Sequence, residues 1–96
     1  MTLEEFKISL TQETPPGGSS DVLQALWQDG KGHWDTAHRL AQSVNNAQGA
    51  WVHAYLHRKE GDLGNAAYWY AHAGKTMPLL SLTEEWEYLV SQFLQP

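Results

Sequence analysis

Apolar residues recur at spacings of three and four along most of this chain, and turn-forming residues interrupt them at short intervals. Trp34, Ala37, Leu40, Ala41 and Val44 keep that spacing, as do Leu82, Trp86, Leu89, Val90, Phe93 and Leu94. One apolar stripe of this kind is the mark of a helix packed on one side. The punctuation sets the boundaries. Ser20 or Asp21 can cap a helix from Val22 to about Asp29, which Gly30-Lys31-Gly32 breaks. A second runs from Trp34 to Val44 and stops at Asn45-Asn46. Ala47 to Glu60 reads as the next despite Gly49, with Gly61 placed to end it at positive φ. Asp62 then caps Leu63 to Ala73, Gly74 closes that helix, and Pro78 follows. Ser81-Leu82-Thr83-Glu84 has capping-box spacing and opens a last helix to about Leu94.

Ahead of these, Thr2 and Glu5 form another capping box, and a helix from Leu3 to about Gln12 would put Leu3, Phe6 and Leu10 on one face. The alternation from Phe6 to Leu10 also suits a strand, but nothing else in the chain offers a partner strand. The pattern predicts one all-α domain over 1–96, a small bundle of five to six helices. It divides into an N-terminal helix within 1–13, a Pro/Gly/Ser loop at 14–20 and a helical core over 21–96.

The central helices form two pairs that resemble each other at an offset of 29 residues. Ala25 falls on Ala54, Gly32 on Gly61, Ala37 on Ala66, Trp34 on Leu63 and Leu40 on Trp69. Each unit is a helix, a Gly-centred turn and a helix with a small residue one turn in, which lets the two helices approach closely. The second unit resembles the tetratricopeptide repeat in Ala54, Gly61-Asp62-Leu63, Ala66, Tyr70, Ala73 and Pro78. The first departs from that pattern: Ala41 stands where a large aromatic is usual, and no proline follows. The offset is also shorter than the repeat's period of about 34. The expectation is a bundle with two tetratricopeptide-like helix pairs, capped by its terminal helices.

Composition narrows the partners. Six Lys and Arg face 11 Asp and Glu, for a net charge of −5, and the basic residues form no stripe that would follow a nucleic acid backbone. No apolar run approaches the ~20 residues of a membrane span. The start, MTLEEFKISL, lacks the basic and apolar regions of a signal peptide. Cysteine is absent, so disulfides and thiolate chemistry are excluded. These features point to a cytoplasmic protein with neither nucleic acid nor membrane as partner.

The candidate chemistry lies in "AWVHAYLHRKEGDLGNAAYWYAHAG", residues 50–74. On a helix, His53, His57 and Glu60 fall on one face, apart from Trp51 and Tyr55. His38, four residues after Trp34, can meet that stripe across the helix pair, and Asp35 lies one turn before it. Imidazoles with a carboxylate suit Zn, Mn, Fe or Ni. The order is neither His-Glu-x-x-His, because Ala54 follows His53, nor the Glu-x-x-His of di-iron bundles. His57 beside Glu60 can also serve as a metal-free acid–base pair. No Ser or Cys lies near as nucleophile, which leans the reading away from an enzyme. The simplest role for these imidazoles is as hydrogen-bonded polar members of the core. Gly61 and Asp62 read as structural. His33 and His72 are isolated. No cofactor motif is present, and a divalent metal is the one cofactor the histidines can hold.

Helical phase puts Trp51, Tyr55 and Arg58 on the face that a tetratricopeptide-like unit turns to its groove. Trp, Tyr and Arg are the types enriched at binding hot spots. The favoured function is therefore a small interaction module for a protein or peptide partner, or for self-association. The alternative is a metal- or small-ligand-binding site, catalytic or not, built from His38, His53, His57 and Glu60.

Two strings are more specific. His57-Arg58-Lys59-Glu60-Gly61-Asp62 with Asn65-Ala66, Tyr68-Trp69-Tyr70 and Ala73-Gly74 is one; Leu23 to Trp27 with Trp34-Asp35, Ala37-His38 and Gln42 is the other. Both resemble a family of small uncharacterised proteins, mainly bacterial, over about three quarters of the chain, from Leu23 to Leu94. That resemblance implies a helical fold and supplies no activity. Ala71-His72 stands where the family has basic residues.

Overall fold

Among the described residues, five of the six helices start at a side-chain cap. In a computed structural model describing residues 1–95, Thr2, Ser20, Asn46, Asp62 and Ser81 each accept a hydrogen bond from the backbone N–H three residues on. Each such cap contributes ~1 kcal/mol by satisfying a donor that the helix leaves free. The helices are α1 (Leu3–Ser9), α2 (Asp21–Gly30), α3 (Trp34–Ser43), α4 (Ala47–Lys59), α5 (Leu63–Ala73) and α6 (Leu82–Leu94), and no strand occurs among the described residues. The chain is an all-α bundle, as the pattern predicts. Only α1 is clearly shorter than expected. Leu10, Thr11 and Gln12 bond three residues back instead of four, and Lys31 Nζ takes the carbonyls of Leu10 and Gln12. That lysine replaces the helical turn that would have continued.

The internal repeat is physical. α2 pairs with α3 and α4 with α5, and α3 packs on α4 to join the pairs. Both turns are built alike: Gly32 and Gly61 sit at φ 84° and 89°, where a Cβ would be strained. Past each glycine the next N–H reaches back to the preceding helix, His33 to Gln28 and Asp62 to His57. Ala25, Ala37, Ala54 and Ala66, the small residues that the offset superposes, are all fully buried. Gly49 answers a different need. A Cβ there would lie 1.9 Å from the carbonyl oxygen of Val44, so the first turn of α4 can approach the end of α3 only without a side chain.

The main core gathers Phe6, Val22, Leu26, Trp27, Tyr55, Leu56, Leu89 and Val90 from α1, α2, α4 and α6. Burying each such apolar side chain contributes about 1.5–3 kcal/mol. A smaller cluster, Ala54, Ala66 and Tyr70 with Trp69 beside it, cements α4 to α5. α6 closes the bundle: Trp86 Nε1 donates to the Leu26 carbonyl at 2.9 Å, and the Glu87 carboxylate meets Lys7 of α1 at 2.8 Å. No helix among the described residues is long and apolar enough to cross a membrane.

Candidate metal centre

The α3–α4 packing brings His38 to His53 and His57. His38 Nε2 lies 2.9 Å from His53 Nε2, and ligand atoms of all three imidazoles fall within 4.8 Å of one another. The helices position them in the way the spacing predicts: His53 and His57 are one turn apart on α4, and their rings stack with centroids 4.8 Å apart. His38 stands edge-on to both. Indole rings bracket the trio. Trp34 stacks on His38 and is itself held by an Nε1–H bond to the Leu56 carbonyl at 2.9 Å; Trp69 stacks on His53 at 4.1 Å. His53 and His57 are buried, and His38 is half-buried.

Glu60 accepts from or shares a proton with His57 Nδ1 at 2.6 Å. This occupies Nδ1 of His57 and leaves Nε2 for a ligand. Histidines that hold a metal commonly have such an outer partner, which fixes the tautomer and raises ligand basicity. Burial, with the charges of His38 and His57 beside it, pushes the His53 pKa down to about 4. Burial and then His57 lower that of His38, against the smaller opposing pull of Glu60 and Asp35. Both rings are therefore neutral at pH 7, with lone pairs to give. A tetrahedral ion with N ligands at about 2.0–2.1 Å needs the nitrogens about 3.3 Å apart. The His38–His53 gap is a few tenths of an ångström short of that and the other gaps of the trio lie within 4.8 Å, so small side-chain rotations separate this arrangement from a closed ligand set. The donor set fits a borderline-soft divalent ion.

Glu60 and Asp62, both exposed, lie with the buried His57 in a second grouping. Asp62 is committed there as the cap of α5, accepting from the Asn65 N–H at 3.2 Å, and Gly61 provides the turn at positive φ. His33 bonds Gln28, and His72 bonds the Tyr68 carbonyl.

The expected groove is not an open surface. Trp51, Tyr55 and Arg58 do share one face of α4, but α6 lies on it. Tyr55 is only 2% exposed, and its hydroxyl donates to Asp29 Oδ2 at 2.8 Å. Trp51 packs edge-on against Tyr88 and Phe93, and Arg58 pairs with Glu85 at 2.8 Å. Helical phase selects the face correctly; which element covers it is a tertiary fact.

Two buried carboxylates have no precursor in the sequence reading. Asp29 receives Tyr55 and Lys59, the latter at 2.9 Å, and Glu85 receives Arg58 and the Tyr70 hydroxyl. Each is therefore a satisfied acceptor, and burial raises the pKa of both tyrosines far above the usual phenol range. Comparisons with protein families, with curated proteins and with solved structures found no match to this chain.

Proposed function

We propose that this protein binds a divalent transition-metal ion of the zinc class through His38, His53 and His57, with Glu60 orienting His57. The observation that carries the reading is the convergence of three imidazoles from two helices within 4.8 Å, with a carboxylate on Nδ1 of one of them. Three protein nitrogens leave one tetrahedral position for water or a small ligand, the arrangement of reactive rather than sealed zinc sites. A core role alone would not need His57 to carry the Glu60 carboxylate as well as its imidazole neighbours.

Isothermal titration of metal-free protein with Zn²⁺, and with Co²⁺ followed by visible absorption, tests this. One equivalent is expected to bind. His38→Gln, at a half-buried position, should abolish tight uptake with the fold kept by circular dichroism. Glu60→Gln should weaken it about 10–100-fold. Metal-free protein that takes up neither ion, or binding indifferent to both substitutions, would refute the site.

A second reading, an interaction module, now rests on α5. Its outer face is unpacked, with Leu63 and Tyr68 each more than half exposed. Concentration-dependent sedimentation that Tyr68→Ser abolishes would support self-association there. A strictly monomeric protein removes that version.

A further inference from the structure

His53 has a second ring nitrogen that no protein group takes. Its Nε2 faces His38, and its two ring faces lie against Trp69 and His57. Among the described residues no sealed side-chain nitrogen or oxygen lacks a partner, so the Nδ1 edge reaches solvent. The space it borders is a cleft of about 290 Å³ between the α3–α4 turn and α5. Gln42, Asn45, Asn46, Trp69 and His72 line it with His53.

The lining restricts what can enter. No Lys, Arg, Asp or Glu faces the cleft. A carboxylate would find no Lys or Arg there and an ammonium no anion, so neither gains an ion pair to offset the hydration it loses. Gln42 and Asn45 are exposed carboxamides that can both donate and accept, whereas the Asn46 side-chain carbonyl is spent on the Gly49 N–H. The volume sits at the low end for ligand pockets, which suits a single-ring molecule. With Nε2 on a metal, the one proton of a neutral imidazole stays on Nδ1, so the cleft meets a donor; this step rests on the metal reading above.

We infer that the cleft is a binding site for a small uncharged molecule bearing an amide or lactam carbonyl, which accepts from His53 Nδ1–H while its own N–H groups bond the carboxamides of Gln42 or Asn45. The ligand then acts as the outer partner of a metal-bound histidine, the role Glu60 plays for His57. Ligand and metal binding are coupled, and the coupling is reciprocal.

Nicotinamide is the probe, titrated into metal-free and Zn²⁺-treated protein while the histidine rings are followed by ¹H–¹⁵N NMR. A saturable shift of the His53 ring is expected, with affinity several-fold tighter in the zinc form. Nicotinic acid and benzylamine, of like size but charged, should bind at least tenfold more weakly. Gln42→Leu with Asn45→Leu, both at exposed positions, should weaken nicotinamide and leave zinc uptake unchanged. Zinc uptake without a nicotinamide shift at His53, or nicotinic acid binding as well as nicotinamide, overturns the cleft site and spares the metal reading. A saturable shift in protein that takes up no zinc does the reverse.

Discussion

Arg58→Ala should be among the most damaging single substitutions in this protein. The guanidinium is 17% exposed and the Glu85 carboxylate beside it 1%, with Nη1 and Oε1 2.8 Å apart. Nη2 also donates to the Leu80 carbonyl, which anchors the segment leading into α6. Truncation leaves Glu85 charged and buried with Tyr70 as its remaining partner. Breaking a buried pair in this way costs about 3–5 kcal/mol. For a domain of this size each kcal/mol lowers the melting temperature by roughly 4–8 °C, so a fall of at least roughly 12 °C is expected. Replacing the whole network by apolar residues of like size should be far milder, because no charge is then stranded. Thermal and urea unfolding of Arg58→Ala, and of the triple variant Arg58→Met, Glu85→Leu, Tyr70→Phe, form the assay. The triple variant should recover most of the loss. A cost below about 1 kcal/mol for Arg58→Ala is what a surface ion pair gives, and that result would refute the reasoning. It would also return Arg58 to the pool of residues free to contact a partner.

Other expectations follow from the same geometry. Metal-free protein should lose stability as the pH falls from about 6.5 to about 4, because the unfolded chain protonates His53 at the ordinary value and the folded one only near 4. The difference in urea-unfolding free energy between wild type and His53→Gln should carry that slope, and a flat difference across this window would contradict it. Gly49→Ala should cost about 1–3 kcal/mol by overpacking against the Val44 carbonyl, read from the urea midpoint at unchanged slope. An unchanged midpoint would mean that α3 and α4 can part without penalty.

Most of the helical frame was legible because its signals are local. Thr2, Ser20, Asn46, Asp62 and Ser81 act within four residues of their own position, and Gly32 and Gly61 settle turns by their own φ. The His53–His57–Glu60 stripe follows from helical phase alone, and the meeting with His38 follows from the pairing of α3 with α4. Asp29 and Glu85 were illegible for the opposite reason. Asp29 stands before Gly30 like a solvated helix end, and Glu85 stands beside Glu84 like ordinary first-turn charge. Only partners 26 and 30 residues from Asp29, and 27 and 15 from Glu85, make them core residues. The groove expected of Trp51, Tyr55 and Arg58 failed in the same way, since nothing near them in sequence announces that α6 lies across that face.

The bond from the Trp86 indole to the Leu26 carbonyl joins residues 60 apart, whereas the two helix hairpins close over a few turns. Closing the longer loop costs more chain entropy and comes late. The order of assembly should therefore be hairpins first, then the docking of α6, with φ-values that are high at Ala37 and Ala66 and low at Leu89. A high φ-value at Leu89 would reverse that order. Stabilising the contacts of α6 should slow unfolding more than it speeds folding, which makes the last helix the place where the lifetime of the native state is set.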